Sequence, residues 1–266
     1  MADRQPAAVP PPWAEVRGSG PAVVLLHGLA DSHELWRNQI PVLEQRFLTI
    51  AVDQYGHGRT PLPPDTLTTD VMADGVAALI DALAAAPAVV VGLSMGGGVA
   101  QVLALRRPDL VQALVLVSTG SEFPAATRER FVAWAAQAER EGMAAVVDAT
   151  VPRWFTPDFA RLHPEEIERT RATVLANDPV SFAAASRANA DRDWSDRLGE
   201  IACPVLFVGG EQDPADPARS LAIYRERLGD LAVVLFPDTS HLVPVEAAER
   251  FTTVLVDFLD RVIGPR

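Results

Sequence analysis

Lysine is absent from this chain, and cysteine is nearly so. All 23 basic residues are arginine, and Cys203 is the single cysteine among 266 residues. Without lysine, a P-loop phosphate site and a Schiff-base mechanism are excluded. A single cysteine excludes an internal disulfide and a zinc site built on several thiolates. Since Cys203 stands at the head of an apolar run, we expect it to act as a small buried hydrophobic residue.

Basic clusters and long apolar runs are also missing. The chain has 35 acidic residues and a net charge of −12. This balance, without a basic patch, argues against nucleic acid and anionic membrane surfaces as partners. No stretch approaches the roughly 18 apolar residues of a membrane helix, and residues 1–12 lack the apolar core of a signal peptide. We therefore expect a flexible N-terminal lead over residues 1–12 and a cytoplasmic location.

The apolar runs that are present are short, and they alternate with helical patterns. Unbroken Val- and Leu-rich runs suit parallel strands that are covered by helices on both faces. The alternation therefore predicts an α/β fold with a mostly parallel, doubly wound sheet. The predicted strands are residues 22–27, 48–52, 88–92, 113–118, 205–209 and 232–236. The predicted helices are residues 34–45, 68–85, 95–106, 219–228 and 247–262.

The alternation breaks over residues 121–193, where prolines divide helical patterns and no strand-like run occurs. We predict that this segment is a helical cap inserted into a core formed by residues 13–120 and 194–266. Among its aromatic residues, Trp134 and Trp154 are the candidates for pocket walls, the alternative being burial in the core of the cap. Arg153 is either a solvated arginine or a group that holds a substrate carboxylate.

The most informative motif is Gly92-Leu93-Ser94-Met95-Gly96, which lies between a predicted strand and a predicted helix. A serine in a strand-to-helix turn of this kind is a nucleophile elbow. Glycines two residues before and after the serine leave room for its strained backbone. The helix that follows also directs unpaired N–H groups and its positive dipole end towards the site. We predict that Ser94 is a catalytic nucleophile.

A serine hydroxyl needs a general base, and the base needs a carboxylate that orients it. His241 follows the strand predicted at residues 232–236, at the edge of the sheet where active sites of parallel folds gather. Asp213 follows the preceding strand and is our candidate for the acid, with Asp216 and Glu211 as local alternatives. The chain order Ser94, Asp213, His241 is the order expected for a nucleophile elbow of this kind.

Hydrolysis through a serine also requires two backbone N–H groups that bind the oxyanion. Met95, immediately after the nucleophile, is the first predicted donor. Leu29 is the second, because the turn that contains it directly follows the strand at residues 22–27. Gly28 allows the backbone to approach the substrate closely.

The other histidines have less specific interpretations. His27 is either a base or ligand or a support for the oxyanion turn, and we favour the support. His57 lies between glycines and is interpreted as a turn element, whereas His33 and His163 are expected to face solvent. No pair of the five histidines has the spacing of a metal site, so no metal is predicted.

These landmarks together resemble the α/β-hydrolase family over nearly the whole chain. The matching segments are residues 27–28, 53–58, 92–97, 209–213 and 240–241. The elbow, with the segment from residues 106–108 to 115–117, looks most like 3-oxoadipate enol-lactonases and their esterase relatives. The resemblance implies catalytic Ser94, Asp213 and His241, oxyanion donors Leu29 and Met95, no cofactor, and a mobile helical cap.

The predicted function is hydrolysis of a small or medium carboxylic ester or lactone through a Ser-His-Asp triad and an acyl-enzyme. The same residues would also serve carbon–carbon bond hydrolysis of a diketone or cofactor-free perhydrolysis. An alternative from a different class is a small-molecule receptor of the same fold that turns over slowly. The natural substrate and the oligomeric state are left open by the sequence.

Overall fold

A computed structural model describes residues 9–63 and 66–264 of the chain. Most of the N-terminal lead predicted over residues 1–12 lies outside the described residues. In the described part, seven strands form one sheet in the order β1-β3-β2-β4-β5-β6-β7. Their bounds are β1 Ala14–Arg17, β2 Ala22–Leu26, β3 Leu48–Val52, β4 Ala88–Leu93, β5 Val111–Val117, β6 Val205–Gly210 and β7 Leu231–Phe236. Only β1 runs antiparallel to its neighbour; the other pairs are parallel.

The helices lie between and after these strands. Their bounds are α1 Ile40–Leu43, α2 Thr69–Ala82, α3 Met95–Arg106, α4 Ala125–Glu141, α5 Met143–Thr150, α6 Pro157–Leu162, α7 Pro164–Leu175, α8 Pro179–Ala190, α9 Pro217–Arg227, α10 Val243–Glu246 and α11 Ala248–Ile263. Short 3₁₀ turns at His33–Trp36, Pro108–Leu110, Val151–Arg153 and Ser195–Glu200 complete the connections.

The hydrophobic core has two layers, one on each face of the sheet. Alternate residues of one strand contribute to different layers. Val24 belongs to the layer that contains buried residues of α2, α3 and α9, whereas Val23 belongs to the layer that contains buried residues of α1 and α11. Because both faces are covered, the strands are apolar along their whole length. Cys203 is half-buried against the first of these layers, and burial raises the pKa of its thiol to about 11.

The predicted fold class is confirmed, and each of the six predicted strands is present. Strand β1 was missed because it is short, lies at the sheet edge and includes the charged residues Glu15 and Arg17. The helix predicted over residues 34–45 is wrong as a continuous element. It divides into a 3₁₀ turn and α1, because Pro41 has no N–H to extend a helix that begins before it.

Helices α4 to α8 all lie between β5 and β6, in the segment for which a cap was predicted. An isolated β-bridge joins Glu122 to Asp193, at the two ends of this segment. Helices α4 and α8, at its beginning and end, pack against each other. The segment therefore leaves the core after β5 and returns to it close to where it left.

Candidate active site

A cavity of about 200 Å³ lies where the carboxyl ends of the parallel strands meet the helices that follow β5. Each of the seven residues predicted for the site lines this cavity except Met95, which is adjacent to lining residue Ser94. The lining residues among them are Leu29, Ser94, Trp134, Trp154, Asp213 and His241. Residues that are distant in sequence are therefore brought together because their strands end at one edge of the sheet.

Ser94 occupies a strained turn between β4 and α3. Its φ of 53° and ψ of −107° are values that residues with side chains rarely adopt. A Cβ atom on Gly92 would collide with the carbonyl oxygen of Gly96, and one on Gly96 would collide with that of Leu26. The turn is consequently tight enough that both flanking glycines are required. The strain persists only because the surrounding core holds the turn in place.

His241 and Asp213 form a hydrogen-bonded pair in the lining of the same cavity as Ser94. The imidazole Nδ1 lies 2.8 Å from Asp213 Oδ2, and the other carboxylate oxygen accepts the backbone N–H of Ala215 at 2.8 Å. This pairing fixes the ring so that Nε2 is the nitrogen available for proton transfer. In the described part of the chain, neither His241 Nε2 nor Ser94 Oγ has a hydrogen-bond partner. Catalytic hydrogen bonds are often formed only when substrate is bound.

The alternative carboxylates have other surroundings. Asp216 caps α9, since its side chain accepts the backbone N–H of Arg219 at 3.1 Å. Glu211 is exposed. Neither is hydrogen-bonded to His241, so Asp213 is the carboxylate that orients this histidine in the structure.

The turn after β2 approaches the elbow closely. A Cβ atom on Gly28 would lie 3.6 Å from Ser94 Cβ, so the adjacent Leu29 backbone is beside the serine. Met95 is the first residue of α3, where a helix leaves its N–H groups unpaired. Within the described residues, the N–H groups of Leu29 and Met95 have no acceptor. Both predicted oxyanion donors therefore have a backbone N–H without an acceptor in this part of the chain.

Two buried histidines support the turn after β2. His27 Nε2 accepts the backbone N–H of Gln54 at 3.0 Å, and its Nδ1–H donates to the Gly28 carbonyl at 2.6 Å. His57 Nε2 accepts the N–H of Ala30 at 3.0 Å. Burial lowers the pKa of His27 to about 3 and that of His57 to about 4, so both are neutral near pH 7. Their contacts agree with a supporting role for His27 and a turn role for His57.

The expectation that His33 faces solvent is wrong. His33 is buried, and its Nδ1 lies 2.8 Å from Oδ1 of Asp53, which also accepts the His33 backbone N–H. The hydrogen bond to Asp53 raises the pKa of His33. The sequence pattern missed this pair because its members are separated by a strand. His163 is exposed, as predicted.

Arginines of the cavity wall were largely missed from the sequence. Arg130, Arg153 and Arg192 all line the cavity, and none forms an ion pair with a carboxylate in the described part of the chain. Most other arginines of the protein do form such pairs. The local sequence does not distinguish the unpaired arginines of the cavity from these paired ones. Of the acidic residues that line the cavity, Glu122 is paired with Arg219. Burial raises the pKa of a second, Asp31, to about 6.

The chain also matches proteins of known class. Residues 21–248 match the model of the α/β hydrolase fold family. The chain belongs to this family. A 3-oxoadipate enol-lactonase of Acinetobacter baylyi is 27% identical over 234 residues, which cover 87% of this chain and 85% of the relative.

Two solved structures extend this similarity to three dimensions. The α/β hydrolase described here is 32% identical to a thermophilic esterase from Thermogutta terrifontis, solved with malate bound, with a TM-score of 0.89 and coverage of 94% of this chain and 93% of that one. It is 30% identical to the enol-lactonase from Burkholderia xenovorans, with a TM-score of 0.88 and coverage of 93% and 95%. The family match and these similarities support the assignment of the protein as a hydrolase.

Two further properties of the described residues bear on the site. No helix there is long and apolar enough to cross a membrane. Among the same residues, no three His, Cys, Asp or Glu side chains are grouped closely enough to hold a metal ion.

Proposed function

We propose that this α/β hydrolase cleaves a carboxylic ester or lactone through an acyl-enzyme on Ser94. One observation carries the proposal. A single cavity is lined by a serine at positive φ and by a histidine that is hydrogen-bonded to a buried aspartate. The backbone N–H groups of Leu29, which lines the same cavity, and of Met95, the residue after the serine, have no acceptor among the described residues. Each is a separate requirement of acyl transfer by a serine. The enol-lactonase and esterase relatives favour this reaction over others that use the same groups.

The proposed reaction proceeds in two stages. His241 Nε2 removes the proton of Ser94 Oγ as that oxygen attacks the substrate carbonyl, and Asp213 stabilises the imidazolium that forms. The N–H groups of Leu29 and Met95 bind the oxyanion. The imidazolium then protonates the leaving oxygen, which departs as an alcohol or, from a lactone, remains tethered to the acyl group. Water activated by His241 releases the acid and regenerates Ser94.

The lining of the cavity supports a small or medium substrate that carries a carboxylate. Trp134 and Trp154 provide aromatic walls. Arg130 lies over the ring of Trp134, 5.5 Å from its centroid, and burial and the positive charge of Arg153 lower the pKa of Arg130. Two arginines that are close together and lack carboxylate partners suit an anionic group of the substrate.

The names of two comparison proteins are consistent with this substrate class. A 3-oxoadipate enol-lactone is the lactone of a dicarboxylic acid, and malate, bound in the esterase structure, is a dicarboxylate. We therefore propose Arg130 and Arg153 as the residues of this chain that hold the carboxylate. This assignment restricts the substrate class without naming the natural substrate.

The reaction type is tested with a series of p-nitrophenyl esters of increasing acyl length. We expect hydrolysis by the wild type and its loss in Ser94→Ala, with Ser19→Ala as a control because Ser19 is exposed and outside the cavity. Hydrolysis that survives in Ser94→Ala would refute the proposal. If no ester is cleaved, three further assays distinguish the alternatives. Cleavage of a diketone would indicate a carbon–carbon bond hydrolase, and peroxide-dependent bromination would indicate a perhydrolase. Tight retention of a ligand without turnover would indicate a receptor.

A further inference from the structure

Arg192, which follows α8, carries a buried charge whose position is not explained by an ion pair. The residue is 2% exposed, and no carboxylate in the described part of the chain pairs with it. Its guanidinium is flanked by the rings of Phe123 and Trp194, with distances of 4.6 Å and 5.6 Å to their centroids. Burying a cation without an anion is costly. Such a residue is a candidate for a functional role.

The hydrogen bonds of Arg192 are directed at the back of the nucleophile elbow. Its Nη2 donates to the backbone carbonyl oxygen of Ser94 at 3.1 Å and to Asn189 Oδ1 at 2.6 Å. Its Nη1 donates to Thr119 Oγ1 at 2.8 Å and to the Gly120 carbonyl at 2.9 Å. The side chain therefore connects the end of the helical segment to the residue proposed as nucleophile.

Arg192 is also connected to the Ser94 carbonyl indirectly, through the hydroxyl of Thr119. The hydroxyl of Thr119, which accepts from Arg192, donates to the Ser94 carbonyl at 2.7 Å. The backbone N–H of Gly98 donates to it as well, at 3.2 Å. The Ser94 carbonyl thus accepts from three donors, of which one is a cation and another is polarised by that cation. Hydrogen bonds in such chains strengthen one another.

The glycine run after Ser94 makes this arrangement possible. A Cβ atom on Gly97 would lie 2.5 Å from Thr119 Cγ2, and one on Gly98 would lie 2.6 Å from Arg192 Nη2. Glycine inside a helix is unfavourable by comparison with alanine. The two glycines are explained by space, because any side chain at position 97 or 98 would collide with Thr119 or Arg192, the two residues whose side chains contact the Ser94 carbonyl.

That carbonyl belongs to the same peptide group as the Met95 N–H. Because the peptide bond is delocalised, drawing electron density towards the oxygen makes the N–H a stronger hydrogen-bond donor. We propose that Arg192 is a positioning residue that fixes and polarises the Ser94–Met95 peptide, and so strengthens the Met95 N–H as an oxyanion donor. The inference rests on the proposed function, in which Met95 binds the oxyanion.

The test compares Arg192→Met, which removes the charge but keeps much of the side-chain volume, with the wild type. The substrate is p-nitrophenyl acetate, which is neutral. Removal of an entire oxyanion donor typically costs 10²- to 10³-fold in kcat, so weakening one donor is expected to lower kcat about tenfold. KM is expected to change little. The affinity for a trifluoromethyl ketone, which forms a tetrahedral adduct with serine, is expected to fall as kcat does.

Gly98→Ala tests the same contact without removing the charge. Its methyl group would displace Nη2 from the Ser94 carbonyl, and we expect a loss of kcat and of ketone affinity like that of Arg192→Met. Arg197→Met is the matched control, because Arg197 is exposed and paired with Glu200. Added guanidinium is expected to restore activity in part to Arg192→Ala, provided that a thermal melt shows a folded protein.

The outcomes separate this inference from the proposed function. If the wild type hydrolyses the ester, Ser94→Ala does not, and folded Arg192→Met or Gly98→Ala keeps wild-type kcat and ketone affinity, this inference alone is overturned. An increase in KM that is confined to carboxylate-bearing esters would also overturn it, because Arg192 would then be a substrate ligand. If Ser94→Ala retains full activity, the proposed function itself fails.

Discussion

Asp213 Oδ2 and His241 Nδ1 are 2.8 Å apart, although the two residues follow different strands of the sheet. Replacing Asp213 by asparagine preserves the shape of this pair but allows the wrong imidazole tautomer. We expect Asp213→Asn to lower kcat on p-nitrophenyl esters by up to about 10⁴-fold. Asp216→Asn is the matched control, since Asp216 caps α9. A comparable loss in Asp216→Asn would contradict the assignment of the acid.

The strained backbone of Ser94 predicts a trade-off between catalytic activity and the stability of the fold. At a φ of 53°, a residue with a Cβ atom is strained, whereas glycine is not. Both Ser94→Gly and Ser94→Ala are expected to be inactive. In urea denaturation, Ser94→Gly is expected to be the more stable of the two by about 1 kcal/mol. A higher stability of Ser94→Ala would show that the turn is not strained.

The neutral buried histidines predict a decrease in stability on acidification. Because folding lowers the pKa of His57 to about 4, the unfolded chain binds a proton below about pH 6.5 that the native protein does not. This group alone therefore makes the free energy of unfolding fall by about 1.4 kcal/mol per pH unit between about pH 6.5 and 4.

Urea denaturation between pH 7 and 4.5 measures this dependence. His57→Gln keeps an acceptor for the Ala30 N–H and is expected to flatten the curve by that amount. The exposed His163 provides the control His163→Gln, for which an unchanged slope is expected. Equal slopes for the wild type and His57→Gln would show that His57 is not held neutral by the fold.

The two arginines proposed to bind a carboxylate predict a difference between matched substrates. A hydrogen bond to a charged group contributes about 1.5–3 kcal/mol, so Arg153→Met or Arg130→Met is expected to raise KM at least about tenfold for mono-p-nitrophenyl glutarate. KM for the neutral p-nitrophenyl valerate is expected to stay nearly constant. Arg140→Met, at an exposed arginine of α4, serves as the control. Equal changes in KM for both esters would show that Arg130 and Arg153 do not bind a carboxylate of the substrate.

The core of the fold was predictable because its signals are local. Each parallel strand is a short apolar run, and the helices after β3, β4 and β7 have clear apolar patterns. The helix expected over residues 34–45 failed because Pro41 interrupts it. Strand β1 is not recognisable locally, since its pairing with β3 depends on an edge formed by distant residues.

The candidate site divides in a similar way. The position of Ser94, Asp213 and His241 at one cavity was predictable because each residue follows a strand, and the topology brings the ends of those strands together. The contacts of Arg192 with the Ser94 carbonyl and of His33 with Asp53 were not predictable, because they join remote segments of the chain. The sequence shows a glycine at position 98, but only the structure shows why a larger residue would not fit there, because the guanidinium of Arg192 lies beside it.

The proposed acyl-enzyme is detected directly by the intact mass of the protein after rapid acid quenching of its reaction with a slowly hydrolysed p-nitrophenyl ester. We expect an increase by the mass of one acyl group, located by peptide mapping on Ser94 and absent in Ser94→Ala. In His241→Ala, the adduct is expected to form far more slowly. Rapid turnover without an adduct, or an adduct on another residue, would show that Ser94 is not the nucleophile of an acyl-enzyme mechanism.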